Sequence, residues 1–398
     1  MVYNISYTGY NVARFQRIRE GTTIRSITVI RGHTIRLNLS PKQEELCRQA
    51  AGTARFCYNW GLQAIKKALD QGAPIPTVRA LRGEFKRIRA DVYPWTFAVG
   101  KSTIDGAFMN LGRAIKNFLD SRDGRRKGKG FGFPAFKSRK RGYGSFYVAN
   151  DRLTINGHSL KVHKLGLINL AEPLRFSGKI LGATIRYRAG WWWISVQVEI
   201  DRTPPIHQGA AIGVDLGVKS LAVTSDGEVF ENQKHLQRGL QQVRRLQRSM
   251  CRKVAGSNNR RKAVLKLAKA HYRIACRRND VLHKLTTRLV QQAAIIGIED
   301  LQVQGMLKNR RLAQALSDAA FAEFRRQLEY KAPAAGSRVV VIGQFFPSSK
   351  TCNSCGNVNP ELSLAQRFWD CPACGTQLNR DLNAARNIRD EAIRLASA

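Results

Sequence analysis

Acidic side chains are scarce in this 398-residue chain: 28 Asp and Glu stand against 67 Lys and Arg, for a formal net charge of +39. The excess is spread over most of the sequence and goes far beyond what solubility asks for. A polyanionic partner explains it most economically, because Lys and Arg that neutralise phosphates release counterions and bind nucleic acid with steep salt dependence. The alternative for such a balance is a basic ribosome-associated or membrane-surface protein. Long apolar runs are also missing: none approaches the ~20 residues needed to span a bilayer, and no signal peptide is visible, so the expectation is a soluble, cytoplasmic protein with no membrane partner. Disulfides are not required either. A chain of this length can form two or three domains that each bury a core unaided.

The cysteines that are present concentrate at one end. Cys352-Asn-Ser-Cys355 and Cys371-Pro-Ala-Cys374 stand fifteen residues apart, the pattern of a four-thiolate zinc ribbon in which two tight turns each supply two sulfurs to a tetrahedron. Gly356 and Gly375 follow the two knuckles directly, where permissive dihedrals let backbone amides point at the sulfurs. The competing reading is a pair of disulfides. Cys47, Cys57, Cys251 and Cys276 are scattered among apolar or helical residues, where a free thiol behaves as a small hydrophobe.

Along the chain, residues 1–31 carry only β-prone patches such as Ser26–Ile30. Thr34–Leu39 alternates like a strand, and Ser40-Pro41-Lys42-Gln43 then supplies an N-cap, a proline at the first helical position and a capping-box glutamine. Leu46, Ala50, Ala54, Cys57 and Tyr58 continue that helix, and further helices are expected near 77–90 and 100–120. Residues 121–142 hold nine Lys or Arg against one acid, interleaved with Gly and with Phe131, Phe133 and Phe136. This segment reads either as a phosphate-gripping loop with rings for stacking, through Arg125, Arg126, Lys127, Lys129, Lys137, Arg139 and Lys140, or as a flexible basic linker.

An Asn156-Gly157 hairpin follows, then strands around 185–188 and Trp191–Ile200. With the strand at 34–39 they predict a β-barrel or sandwich interrupted by a helical insertion, and the three tryptophans are assigned to its core and wall. Beyond Pro204-Pro205, Ala210–Thr224 and Glu228–Phe230 read as a three-strand meander. Residues 233–293 read as two helices joined by Gly256-Ser-Asn-Asn259. Their outer faces present Arg244, Arg245, Arg248, Arg260 and Arg261 with almost no acidic neighbours, which predicts a nucleic-acid contact.

The few acids fall in a telling order. Asp215 lies within an apolar strand, Glu299-Asp300 end the strand Ala293–Ile298, Arg338–Ile342 is a further buried strand, and Asp381 begins the last helix after the ribbon. That is the sequence order of an RNase H-like nuclease core, whose carboxylates surround paired divalent ions. An unpaired charge inside such a strand costs several kcal/mol, and metal coordination removes the cost. Glu299 is preferred over Asp300 as a ligand because it directly ends the strand. Oxygen ligands alone suit Mg²⁺, two ions per site.

Asp215-Leu-Gly-Val-Lys, Gly297-Ile-Glu299-Asp300-Leu, Pro347-Ser-Ser-Lys-Thr-Cys352-Asn-Ser-Cys355-Gly, Cys371-Pro-Ala-Cys374-Gly and Asn379-Arg380-Asp381-Leu-Asn-Ala-Ala-Arg-Asn together resemble the split RuvC motifs and interposed zinc finger of the TnpB family. The match is specific from about 210 to 390 and looser at Gly130–Lys137. The resemblance implies an RNA-guided DNA endonuclease encoded by a transposable element. A guide RNA derived from the transposon end would pair with double-stranded target DNA beside a short adjacent motif, and one RuvC site with Asp215, Glu299 and Asp381 as catalytic acids would cut it. The domains expected on this basis are an N-terminal extension with the first barrel strand (1–39), a helical recognition domain (40–120), the basic linker (121–142), the rest of a barrel wedge (143–203), a RuvC-like nuclease domain (204–346 and 376–398) and the zinc ribbon (347–375). The ribbon either orients the elements around Asp381 or touches DNA through Arg367 and Lys350. The competing functions are an RNA-guided repressor that does not cut and a metal-dependent transposase acting on transposon ends.

Overall fold

The structure, a computed structural model, describes residues 13–14, 27–126, 130–139, 142–203, 205, 207, 209–310, 312–363 and 366–397. Lys127, Lys129, Lys140 and most of residues 1–26 lie outside these. The chain divides into two compact units, one containing Thr28–Asp201 and the other Arg202–Ala398.

After a two-residue strand, β1 (Ala13–Arg14), the first unit is built on β2 (Ile27–Asn38). The two β-prone patches of the sequence are therefore one strand, and Gly32 does not interrupt it. α1 (Pro41–Asp70) begins at the predicted capping box, with Ser40 and Gln43 each accepting the other's backbone N–H. α2 (Val78–Val92) and α3 (Lys101–Arg122) follow, then β3 (Ser145–Ala149), β4 (Leu153–Asn156), β5 (Ser159–Val162), β6 (Gly166–Leu170), β7 (Lys179–Arg188) and β8 (Trp191–Arg202). The sheet order is β3-β7-β8-β2-β6-β5-β4. β4 and β5 form the Asn-Gly hairpin, with Asn156 opposite Ser159.

Strand alternation sends Trp192 into the core, 2% exposed, while Trp191 and Trp193 emerge on the other face and meet edge to face. Cys47 and Cys57 are buried in α1, and burial pushes both thiols up to about 12, as inert small hydrophobes require. Cys251 departs from that expectation. It is the last residue of its helix and is exposed.

The second unit centres on β9 (Ala211–Leu216), β10 (Ser220–Thr224), β11 (Val229–Glu231), β12 (Ile295–Glu299) and β13 (Arg338–Ile342), in the order β11-β10-β9-β12-β13. β9, β10 and β11 are the antiparallel meander, whereas β12 runs parallel to both β9 and β13. Between β11 and β12 stand α4 (His235–Cys251) and α5 (Asn258–Gln292). The expected turn is shifted, because Ser257 is the N-cap of α5 and Asn258 and Asn259 are already helical. Residues between β12 and β13 form α6 (Val303–Met306), α7 (Ala313–Ala319) and α8 (Phe321–Ala335), for which the sequence reading had no elements. Phe324 and Leu328 of α8 bury completely against Leu285 and Leu289 of α5 in the main core of this unit. β14 (Phe368–Asp370) and β15 (Gln377–Asn379) form a two-stranded sheet between the cysteine knuckles and α9 (Arg380–Ser397).

One close approach fixes where α9 lies. Gly213 and Gly297 are register partners on adjacent strands β9 and β12. A β-carbon on Gly213 would come within 1.9 Å of the Ala385 carbonyl, and one on Gly297 within 2.7 Å of the Ala392 methyl. The paired glycines are a seat that lets the helix backbone rest on the sheet, which no side chain at either position would allow.

Candidate active site and zinc centre

The parallel register of β9 and β12 pairs Ile298 with Val214, so the next residues along, Glu299 at the end of β12 and Asp215 one residue before the end of β9, come side by side. α9, seated on the glycines, brings Asp381 in its first turn to the same end. Both other carboxylates lie close enough to act on Asp215. Loss of water on burial, then the charges of Glu299 and Asp381, push Asp215 up to about 7, while Arg380 and Arg367 pull the other way. The other two acids are held by donors. The Ser348 hydroxyl donates to Glu299 Oε1 at 2.5 Å, and the Arg367 guanidinium meets Asp381 Oδ1 at 2.7 Å. Asp300 faces away into an ion pair with Arg325 at 2.6 Å, which leaves Glu299 as the acid beside Asp215. Asp381 does not cap its own helix. The Asn379 side chain does, accepting from the amides of Asp381 and Leu382 at 3.1 Å each.

The cysteine cluster is the more sharply organised centre. One ligand atom from each of Cys352, Cys355, Cys371 and Cys374 lies within 4.8 Å of the others, and among the described residues no other group of three or more His, Cys, Asp or Glu does so. Cys352 and Cys374 sulfurs are 3.8 Å apart, and those of Cys355 and Cys371 are 3.6 Å apart. A tetrahedron with Zn–S bonds of about 2.3 Å has edges of about 3.8 Å, so the sulfurs fit zinc as they stand. All four thiols are free, their sulfurs well beyond the ~2.05 Å of a disulfide bond. The two knuckles are built alike: Cys352 N–H donates to Asn357 and Gly356 N–H to Cys352, while Cys371 N–H donates to Thr376 and Gly375 N–H to Cys371. Gly356 and Gly375 take φ of 77° and 71°, the left-handed region the tight turns demand. Hydrogen bonds from the Thr376 hydroxyl and amide favour the thiolate of Cys374, the form a metal binds.

Both side chains expected to reach DNA from the ribbon are engaged within the protein. Arg367 holds Asp381, and Lys350 Nζ donates to the Pro360 carbonyl at 2.6 Å. Four further residues join ribbon and site, none of them singled out from sequence: Ser348, Asn353, Asn383 and Asn387. Asn383 and Asn387 are 2% and 6% exposed. Their i, i+4 spacing on one helix face was the available signal, since buried amides need partners.

The basic residues divide. Arg244, Arg245, Arg248 and Arg261 are exposed on α4 and α5, in a stretch with no acid between Glu231 and Asp280. Arg260 instead donates to the carbonyls of Met250 and Lys253 at 3.2 and 2.9 Å, closing the end of α4. In the first unit Arg125 meets Asp120 and Asp123, and Arg126 lies over the Phe131 ring at 4.4 Å and donates to Asn117. Lys137 is exposed as a residue, yet its ammonium is tucked 3.8 Å from the centre of the Tyr58 ring, and lost water lowers its pKa. Its backbone is bonded in both directions to Asn59. Arg139 is exposed near Arg55.

Comparison with known proteins decides the family. A profile described as a probable transposase matches residues 195–310, a Cas12f1-like TNB domain matches 321–388 and a helix-turn-helix domain matches 28–73. A putative RNA-guided DNA endonuclease of Streptomyces pristinaespiralis is 36% identical over 342 residues, covering 85% of this chain and 83% of the relative. The chain belongs to the TnpB family. A second relative, the putative RNA-guided DNA endonuclease InsQ of Escherichia coli K12, is 31% identical over 374 residues, 89% of this chain and 90% of the relative. The fold is shared with the cryo-EM structure of a Cas12f1–sgRNA–target DNA complex, at a TM-score of 0.53 and 14% identity over 91% of this chain and 99% of that one. In this TnpB-family chain the helix-turn-helix match falls on β2 and the unbroken α1, so those residues hold one strand and one long helix.

Proposed function

We propose that this protein is an RNA-guided DNA endonuclease of a transposable element, with a RuvC-like, RNase H-type core formed by β9–β13 and α9 and its catalytic acids at Asp215, Glu299 and Asp381. The observation that carries this reading is the convergence of those three acids from two strands and a helix, where burial and then the charges of Glu299 and Asp381 raise Asp215 to about 7. A buried carboxylate beside two others gains most from a bound cation. The all-oxygen donor set suits Mg²⁺. When bound, the ions supply an activated water and charge stabilisation at the leaving oxygen.

The chain's own residues do the rest. Ser348 fixes Glu299 through Oε1, and Arg367 holds Asp381 through Oδ1, so two of the three acids are anchored by the protein itself. The exposed arginines of α4 and α5 hold the phosphate backbone of the guide RNA or its duplex with the target, and base pairing chooses the sequence. The four cysteines hold one zinc, which folds the ribbon between β13 and α9. In this reading the sheet of the first unit is the barrel wedge, α1–α3 the recognition helices, and residues 121–142 the basic connection between them.

The test is to purify the protein with its co-isolated RNA, sequence that RNA, and offer Mg²⁺ and a plasmid library with randomised flanks. Cuts placed by the guide sequence beside one short motif are expected. Guide-independent nicking would favour the transposase reading, and guide-directed binding without cuts would favour the repressor.

A further inference from the structure

The stretch Ser348–Asn353, which leads into the first cysteine knuckle, is fastened on both sides. On one side lies α9. Asn387 Nδ2 donates to the carbonyls of Ser348 and Thr351, each at 2.7 Å, and Asn383 Nδ2 donates to the same Thr351 carbonyl at 2.7 Å. In return the Asn353 backbone N–H donates to Asn383 Oδ1 at 2.9 Å, and Asn353 Nδ2 reaches Asn387 Oδ1 at 3.0 Å and Asp390 at 2.8 Å. Both helix amides thus use their oxygen and their nitrogen on this one stretch, in a buried setting where a lost partner is costly. On the other side lies β12, where the Ser348 hydroxyl holds Glu299 Oε1. Asp381 stands two residues before Asn383 on the same helix.

We propose that Ser348–Asn353 sets the separation of two of the carboxylates, with Ser348, Asn383 and Asn387 as positioning residues, so that a folded, zinc-bearing knuckle is a condition for the divalent-metal geometry at Glu299 and Asp381. The inference rests on the assignment of those acids above. The ribbon then acts on the chemistry through six hydrogen bonds of side-chain amides and one of a hydroxyl. Residues that orient metal-binding groups typically change metal affinity or activity by about 10–100-fold when removed.

The experiment compares wild type, Ser348→Ala, Ser348→Thr and Asn387→Ala as full chains with co-isolated RNA. Zinc content, amide hydrogen exchange and the Mg²⁺ dependence of guided cleavage are measured on each. Ser348→Ala is expected to keep one zinc and a wild-type melting temperature while needing roughly tenfold more Mg²⁺ for half-maximal cleavage, and Ser348→Thr, which keeps the hydroxyl, to need much less than Ser348→Ala. Asn387→Ala is expected to raise amide exchange about tenfold both at Cys352–Gly356 and in the first turn of α9. An unchanged Mg²⁺ midpoint in zinc-loaded Ser348→Ala, or unchanged exchange in Asn387→Ala, overturns the proposal. If Asn387→Ala loses its zinc, Ser348→Ala decides, because its hydroxyl bonds no ribbon backbone. If the wild type does not cleave at all, the nuclease reading fails, and the exchange comparison still tests the coupling of knuckle to helix.

Discussion

Two arginine-rich regions of the second unit put the same side chain to opposite uses. Around the acids, Arg367 holds Asp381 and Arg325 holds Asp300, and the nearby polar groups are bonded to one another. On α4 and α5, Arg244, Arg245, Arg248 and Arg261 stand exposed in a stretch without acids. A residue type therefore says little until its neighbours are counted. Where carboxylates are near, arginine is part of the internal architecture; where there are none, its charge is open to an external phosphate unless backbone carbonyls take it, as at Arg260.

The largest effect should come from breaking the architecture of the acid site at its seat. Gly213→Ala places a methyl where the Ala385 carbonyl already sits. Overpacking of this kind costs about 1–3 kcal/mol or more, and because the helix that must move carries Asp381, guided cleavage should be lost even where the protein still folds. Thermal melting and cleavage on one preparation check this, and wild-type cleavage by Gly213→Ala would remove the seat from the account. Next in size, Cys371→Ser with Cys374→Ser should release the zinc, about one per chain, and unfold the ribbon; metal analysis and protease sensitivity after residue 343 report it. A wild type without zinc would contradict the assignment.

The contrast between the two regions sharpens with the arginines themselves. Arg244→Ala, Arg245→Ala and Arg248→Ala should each leave stability within about 0.5 kcal/mol and lower the salt slope of nucleic-acid binding by about one. Arg260→Ala should do the reverse, losing stability with little change in slope, because its guanidinium already closes the end of α4. The smallest effect concerns pH. Burial, then the charge of Arg175, holds His33 below its ordinary value of 6.5, and its Nδ1 accepts the Arg175 backbone N–H as a neutral ring. The unfolded chain takes up this proton first as pH falls, so the contribution of neutral His33 is present above 6.5 and lost below it. His33→Gln should flatten the melting temperature of the protein between pH 7 and pH 5.

Much of this was legible in the sequence, for identifiable reasons. The zinc knuckles, the capping box at Ser40 and the Asn156-Gly157 turn are local, so spacing alone carries them. The three acids stood out because Asp215 interrupts an apolar strand, Glu299 ends one and Asp381 lies in the first turn of a helix. What stayed hidden depends on partners distant in sequence. Gly213 and Gly297 read as ordinary strand glycines until α9 is laid across them. Ser348, Asn383 and Asn387 acquire meaning only when the ribbon folds back on that helix. Arg260 and Arg367 were grouped with surface charge because sequence shows a guanidinium but not the carbonyl or carboxylate it meets. Helices α7 and α8 went unread although α8 supplies Phe324 and Leu328 to the core.

The central claim is that Asp215, Glu299 and Asp381 form one hydrolytic site. Its most direct test is single-turnover cleavage of a guide-matched duplex by Asp215→Asn, with target binding measured on the same complex. The account predicts unchanged zinc content and guide-directed binding with cleavage reduced roughly a thousand-fold, as the loss of several kcal/mol of transition-state stabilisation requires. Cleavage at the wild-type rate by bound, folded Asp215→Asn would contradict it.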